Sequence, residues 1–198
     1  MSVARKMGPY TWDDFIALPD DDRRELIDGE LVEVEVPTLK HARVVGRLVF
    51  ELEAYLEARG GFAIASCYKV RISDRRGVMP DVQAYRKGNE PGEEDEQGLV
   101  TGRPDLVVEV ISPSSPRYDR VVKLGYYLSR GVPEYWIVDP ATQTLEQLVL
   151  AKDGGYRIAA SHAGDQVFAP RTFPGLRIAL ARLWSLKPKP SRRVAKKR

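Results

Sequence analysis

A chain of 198 residues, 43% of them hydrophobic and 30% charged, is long enough to bury one substantial core. Its single cysteine, Cys67, excludes a disulfide framework and a cysteine zinc site. No apolar run approaches the roughly 18 residues of a membrane span and no secretory apolar segment opens the chain, so a cytoplasmic protein with no membrane partner is expected.

The net charge of +3 is unevenly spread. The tail from Lys187 to Arg198 holds seven basic residues and no acid, leaving 24 basic against 28 acidic groups elsewhere. A generic basic surface on the folded body is therefore not expected. Residues 1–9 and 187–198 are predicted disordered, with a single domain over 10–186. The tail, carrying Pro188 and Pro190, fits either a non-specific phosphate anchor or a solubilising end.

In chain order, Thr11 and Asp14 form a capping-box pattern that opens a short helix ending at Pro19. Asp28-Gly29, flanked by alternating apolar residues, predicts a hairpin. Thr38 then caps a helix with apolar Val44, Val45, Leu48, Leu52, Tyr55 and Leu56 at the spacing of a buried face, stopped at Gly60-Gly61. Strands follow at 62–65, 68–72 and 78–85, with 74–77 as a turn, and 88–98 reads as an acidic surface loop. Leu106 to Ile111 is an apolar strand interrupted only by Glu109. Ser115-Pro116 starts a helix that runs to Arg130. Glu134 to Val138 is a further strand, and 145–150 with 156–159 make a second hairpin around Asp153-Gly154-Gly155. The simplest architecture is a mixed β-sheet flanked by helices, with β-hairpins added at the N- and C-terminal ends.

The chemistry centres on two carboxylates 28 positions apart: Asp81 in Met79-Pro80-Asp81-Val82, and Glu109 in Val108-Glu109-Val110-Ile111. Neighbouring strands lie about 4.8 Å apart, so two inward-facing acids at their ends can grip one divalent cation, Mg²⁺ or Mn²⁺. A carboxylate within an apolar strand must be paired, protonated or metal-bound; the alternative to ligation is an ion pair with an Arg or Lys. Asp105 also follows a proline, but four residues of extended chain, about 13 Å, separate it from Glu109. It marks the start of the strand instead.

Pro-Asp on one strand and Glu on the next is the skeleton of the PD-(D/E)XK nucleases, although Ile111 stands where their lysine is expected. The stretches Pro104-Asp-Leu-Val-Val-Glu-Val-Ile-Ser-Pro-Ser114, Tyr118-Asp-Arg-Val-Val-Lys-Leu124, Gly131-Val-Pro-Glu-Tyr-Trp-Ile-Val-Asp-Pro140 and Glu25-Leu-Ile-Asp-Gly-Glu-Leu31 closely resemble the Uma-two family. That family is a bacterial branch of the restriction-endonuclease-like superfamily, and the resemblance covers residues 10 to 184. It implies a restriction-endonuclease-like α/β fold and a metal-dependent endonuclease acting on DNA. Asp81 and Glu109 are its expected metal ligands, with a backbone carbonyl near Val110.

Ile111 shares the face of Glu109, so an ammonium must reach that space from elsewhere. Lys123, on the following helix, matches the family's Tyr-Asp-Arg-x-x-Lys-Leu and would supply it; the alternative is a helix-surface salt bridge with Asp119, one turn earlier. Glu25 would add a carboxylate or be a solvated hairpin residue. His41, at the start of the first long helix, faces the site or serves as a capping or surface residue. Tyr126, Tyr127, Tyr135 and Trp136 fit core packing better than base stacking. Arg117 and Arg120 contact phosphate or lie on a solvated face. A homodimer is compatible with this reading. Two further functions compete: a catalytically inactive nuclease-fold protein that binds nucleic acid or regulates, and a hydrolase of another phosphate ester.

Overall fold

The computed structural model describes residues 8–19, 21–34, 36–65, 68–89, 102–112 and 118–185. Residues 1–7, the tail 187–198, Cys67, the Ser115-Pro116 helix start, Arg117 and most of the 88–98 loop lie outside the described residues.

Thr11 and Asp14 close a reciprocal capping box on α1 (Trp12–Ile16), a helix shorter than the expected run to Pro19. Strands β1 (Arg24–Ile27) and β2 (Glu30–Glu33) pair antiparallel. Asp28 and Gly29 join them at φ of 52° and 88°, the left-handed conformation a tight two-residue hairpin turn requires. Helix α2 (Leu39–Glu57) starts at Thr38, whose hydroxyl accepts from the His41 amide at 3.2 Å. It buries Val44, Val45, Leu48, Leu52 and Leu56, one stripe along the helix.

Next come β3 (Phe62–Ala65), β4 (Val70–Ser73), β5 (Arg76–Val78), β6 (Val82–Tyr85) and β7 (Leu106–Val110). The single strand expected over 78–85 is in fact two. Pro80 has no N–H to give to a ladder, so the chain leaves one sheet after Val78 and enters another at Val82. Asp81 is the residue at that break. Arg76 and Gly77, expected in a turn, belong to β5.

The helix expected from 115 to 130 begins, among the described residues, as a π-helical turn (Tyr118–Lys123) and continues as α3 (Leu124–Ser129). The Tyr135 hydroxyl donates to the Asp119 carbonyl at 3.0 Å, and a side chain inserted into the helical ladder is a known cause of such departures. The remaining elements are β8 (Glu134–Asp139), β9 (Thr144–Leu150), β10 (Tyr156–Ala163), β11 (Val167–Phe168), β12 (Ile178–Ala179) and α4 (Leu180–Trp184).

The main sheet has the order β10-β9-β8-β7-β6-β3, in which only β7 and β8 are parallel. One face packs on α2, α4 and the β11–β12 ribbon through Val108, Val110, Trp136 and Val138. The opposite face packs on α3 and β4–β5 through Val107, Ile111, Tyr135 and Ile137. Tyr126, Tyr127, Tyr135 and Trp136 are buried core residues. The N-terminal hairpin is not a simple appendage: it joins β5 and β4 in a second sheet of order β2-β1-β5-β4.

Gly77 makes that junction close. A Cβ there would lie 2.7 Å from the Phe15 ring and 2.8 Å from Trp12. Gly77→Ala is expected to lower stability by about 1–3 kcal/mol through overpacking, measured by urea denaturation. An unchanged midpoint would mean that the aromatic lid over β5 yields freely.

Candidate active site

Asp81 stands just before β6 and Glu109 near the end of β7, on neighbouring antiparallel strands. Val82 lies opposite Val108, so the same register carried one residue further sets Asp81 against Glu109. Directly opposed side chains have Cβ atoms about 4.5–5.5 Å apart. Asp81 Oδ2 accepts a 2.8 Å hydrogen bond from the Val110 amide and lies 3.2 Å from His41 Nε2. The cap at Thr38 orients the first turn of α2 so that His41 points inward. Its Nδ1 is buried without a hydrogen-bond partner.

Burial depresses the His41 imidazole, but its bond to Asp81, the Asp81 charge and the Val110 backbone outweigh this and raise it above 6.5. A histidine raised in the folded state contributes stability that is complete below about pH 6.5 and is lost as pH climbs through its folded value. The stability gap between wild type and His41→Gln should therefore narrow as pH rises from about 6 to 9. NMR titration should place His41 above its ordinary value in the wild type and lower in Asp81→Asn. The same titration in both proteins would remove the coupling.

Lys123 occupies the space beside Glu109 that Ile111 leaves apolar. Its Nζ lies 3.0 Å from Glu109 Oε1, 3.2 Å from Glu25 Oε1 and 3.8 Å from Asp119 Oδ1. All four side chains are buried: Glu25 is 1% exposed, Glu109 2%, Lys123 5% and Asp119 6%. Glu25 is thus no solvated hairpin residue, and Lys123 is no surface salt bridge. Glu25 Oε1 also accepts from the Met79 amide, and its Oε2 accepts from the Tyr118 hydroxyl, each at 2.8 Å. The Tyr127 hydroxyl donates to Glu109 Oε1.

Charge in this pocket does not balance. Three carboxylates surround one ammonium, and Asp81 stands close by. Burial raises the Glu109 carboxyl well above the ordinary carboxylate range; Lys123 opposes this, while Asp81, Asp119 and Glu25 push it further. Burial also acts against a charged Lys123, but Glu109, Glu25, Asp119 and Asp81 together hold it well above an ordinary lysine. The neighbouring carboxylates push both groups the same way, adding to burial at Glu109 and overcoming it at Lys123.

Comparison with known proteins identifies the family and the fold. The Uma2 family profile, described as "Putative restriction endonuclease", matches residues 12–181. The chain belongs to the Uma2 family. The uncharacterized protein sll1609 of Synechocystis sp. is 27% identical over 127 residues, covering 60% of this chain and 67% of that protein. The crystal structure of a "putative nuclease" from Anabaena variabilis superposes with a TM-score of 0.69 at 21% identity, over 89% of this chain and 98% of that one. This is a likeness of fold, and it carries the mixed sheet flanked by helices.

In this Uma2 chain the donor chemistry suits a hard divalent ion, since the groups facing the surplus charge are carboxylates. Among the described residues no three His, Cys, Asp or Glu side chains form a metal-holding group; Glu25, Glu109 and Asp119 instead converge on Lys123. Mg²⁺ commonly takes only one or two carboxylates plus water and substrate oxygens. Asp105 lies elsewhere: its carboxylate accepts from the Arg86 amide and from Asn89. Arg120 pairs with Glu146 at 2.6 Å.

Two further residues that touch the candidate cluster are not singled out by the sequence. Tyr118 sits inside the Tyr-Asp-Arg segment and was legible as part of that motif. Tyr127 falls one turn after Lys123, so the same helical spacing that put Lys123 on Asp119's face reaches Tyr127 as well. Its ring is core, as expected, while its hydroxyl reaches Glu109. Among the described residues no helix is long and apolar enough to cross a membrane.

Proposed function

We propose that this protein is a metal-dependent endonuclease that hydrolyses DNA phosphodiester bonds. The observation that carries the reading is the buried cluster of Glu109, Glu25 and Lys123 at the end of β7, with the half-buried Asp81 on the neighbouring strand edge, on a chain of a restriction-endonuclease family. In this reading Asp81 and Glu109 hold Mg²⁺ or Mn²⁺, assisted by a backbone carbonyl at Val110. A divalent ion bound there supplies an acidified water and neutralises phosphate charge.

The chain's own groups supply the rest. Lys123 keeps a fixed positive charge at Nζ, suited to stabilising charge that grows on phosphoryl oxygens. Glu25, through Met79 and Tyr118, fixes where that ammonium stands. The Val110 amide and His41 fix the rotamer of Asp81. Burial excludes water from Glu109 and strengthens each of these interactions.

The inactive, nucleic-acid-binding or regulatory alternative draws on one observation: Lys123 already satisfies the carboxylates as an internal cation. Incubation with single-stranded, duplex and branched DNA separates the two readings. Divalent-dependent internal cleavage, abolished by chelation, is expected. Binding of DNA without cleavage under Mg²⁺ and Mn²⁺ would favour the alternative.

A further inference from the structure

Helix α2 turns its inner stripe to the sheet, yet its outer stripe is not the polar face that a solvated helix presents. Leu39 is 72% exposed and Phe50 65%. Ala42, Gly46 and Ala54 are exposed between and beside them, and a Cβ built at Gly46 meets nothing within 4 Å. The charges flanking this stripe are segregated. Lys40, Arg43 and Arg47 stand in the N-terminal half; Glu51, Glu53 and Glu57 stand in the C-terminal half.

The sequence has a two-fold pattern about Phe50. Gly46 and Ala54 are equidistant from it, as are Arg43 and Glu57; Arg47 and Glu53 are equidistant too, although Glu53 already accepts from the Ala63 amide. An antiparallel copy of α2 centred on Phe50 therefore sets small against small and cation against anion at both ends. Residues 43 and 57 are about 21 Å apart along one helix at ~1.5 Å per residue, so they cannot pair within a chain. Arg43 Nε is buried without a hydrogen-bond partner. Arg47 is held below its ordinary value by burial and by the neighbouring Arg43 and Arg182. Among the described residues no carboxylate pairs with Lys40, Arg43 or Arg47; Lys40 donates to the Pro140 carbonyl and Arg47 to the Leu183 carbonyl at 3.1 Å.

We propose that the outer face of α2 is an isologous interface on which a second copy of this chain packs antiparallel, with Phe50 at the dyad and Arg43 opposite Glu57 of the other copy. One helix face of this length covers less than the ~1,600 Å² of a standard interface, so the dimer is weak and reversible. His41 lies about 13 Å along the helix from Phe50, so the two candidate sites stand at opposite ends of the helix pair. The assignment does not depend on the nuclease reading.

Sedimentation velocity on the full chain across a concentration series tests it. Wild type should pass from monomer to dimer. Phe50→Glu should stay monomeric with an unchanged melting curve, because the side chain is exposed. Arg43→Glu and Glu57→Arg should each weaken dimerisation at least ten-fold, and the double variant should recover most of it. A wild type that stays monomeric up to its solubility limit would overturn the proposal. So would a dimer indifferent to Phe50→Glu, or a double variant no better than the singles. A monomer whose Arg43→Glu variant loses affinity for duplex DNA would assign the face to nucleic acid instead.

Discussion

Lys123→Met should destabilise the protein by about 3–5 kcal/mol, the scale of removing one partner from a buried ion cluster. Three carboxylates converge on that ammonium, and without it they must take up protons or draw water into the core. Glu109→Gln should behave oppositely. It removes the carboxyl whose ionisation burial and three like charges already oppose, leaves Lys123 with Glu25, and should be neutral or stabilising above about pH 5. The sign follows from linkage. Glu109 is raised in the folded state, so the native protein binds the extra proton, and its stability falls as pH rises from the unfolded value of about 4.3 towards the folded one. Glu109→Gln should flatten that slope. Urea denaturation of the metal-free protein from about pH 4 to 8 measures both effects. Equal losses in the two variants would show that the cluster is a balanced ion pair with no surplus charge.

Asp81→Asn and Glu109→Gln should each remove Mn²⁺ binding, followed by calorimetry, and lower cleavage by about two orders of magnitude or more. That is the scale of losing one charged partner of a phosphoryl-transfer centre. Asparagine preserves an acceptor for the Val110 amide and glutamine preserves the length of Glu109, so the fold should survive both. Mn²⁺ affinity retained in both variants would dismiss the pair as ligands while leaving the fold and the Lys123 cluster intact.

Much of this was legible because local chemistry and tertiary structure agreed. The Thr11 and Thr38 caps, the Asp28-Gly29 turn and the short apolar run around Glu109 each have one low-energy local solution, and the fold adopts it. The break at Pro80 was written in the sequence too, as a residue with no N–H in a supposed strand interior, but the apolar flanks of 78–85 masked it. The union of the N-terminal hairpin with β4–β5 had no local signature, since contacts distant in sequence specify it, among them Leu26 opposite Gly77, the Gly29 amide on the Arg75 carbonyl and Asp28 with Arg76. The proximity of Asp81 and Glu109 followed from strand order. The grip of Glu25 on Met79 and Tyr118 did not, because it crosses between two sheets and a π-helical turn. No period of 2 or 3.6 predicts that turn.

The position of Glu25 sets the order in which the molecule can be completed during synthesis. Its hairpin leaves the ribosome early, and a two-stranded hairpin alone is marginal in water. It must wait for β5 before it belongs to a sheet, and for residues 118–123 before its carboxylate meets Tyr118 and Lys123. Until then Glu25 and Glu109 are hydrated, mutually repelling anions. Lys123 offsets that repulsion, so the cluster of Glu25 and Glu109 can close only once residues 118–123 have been made.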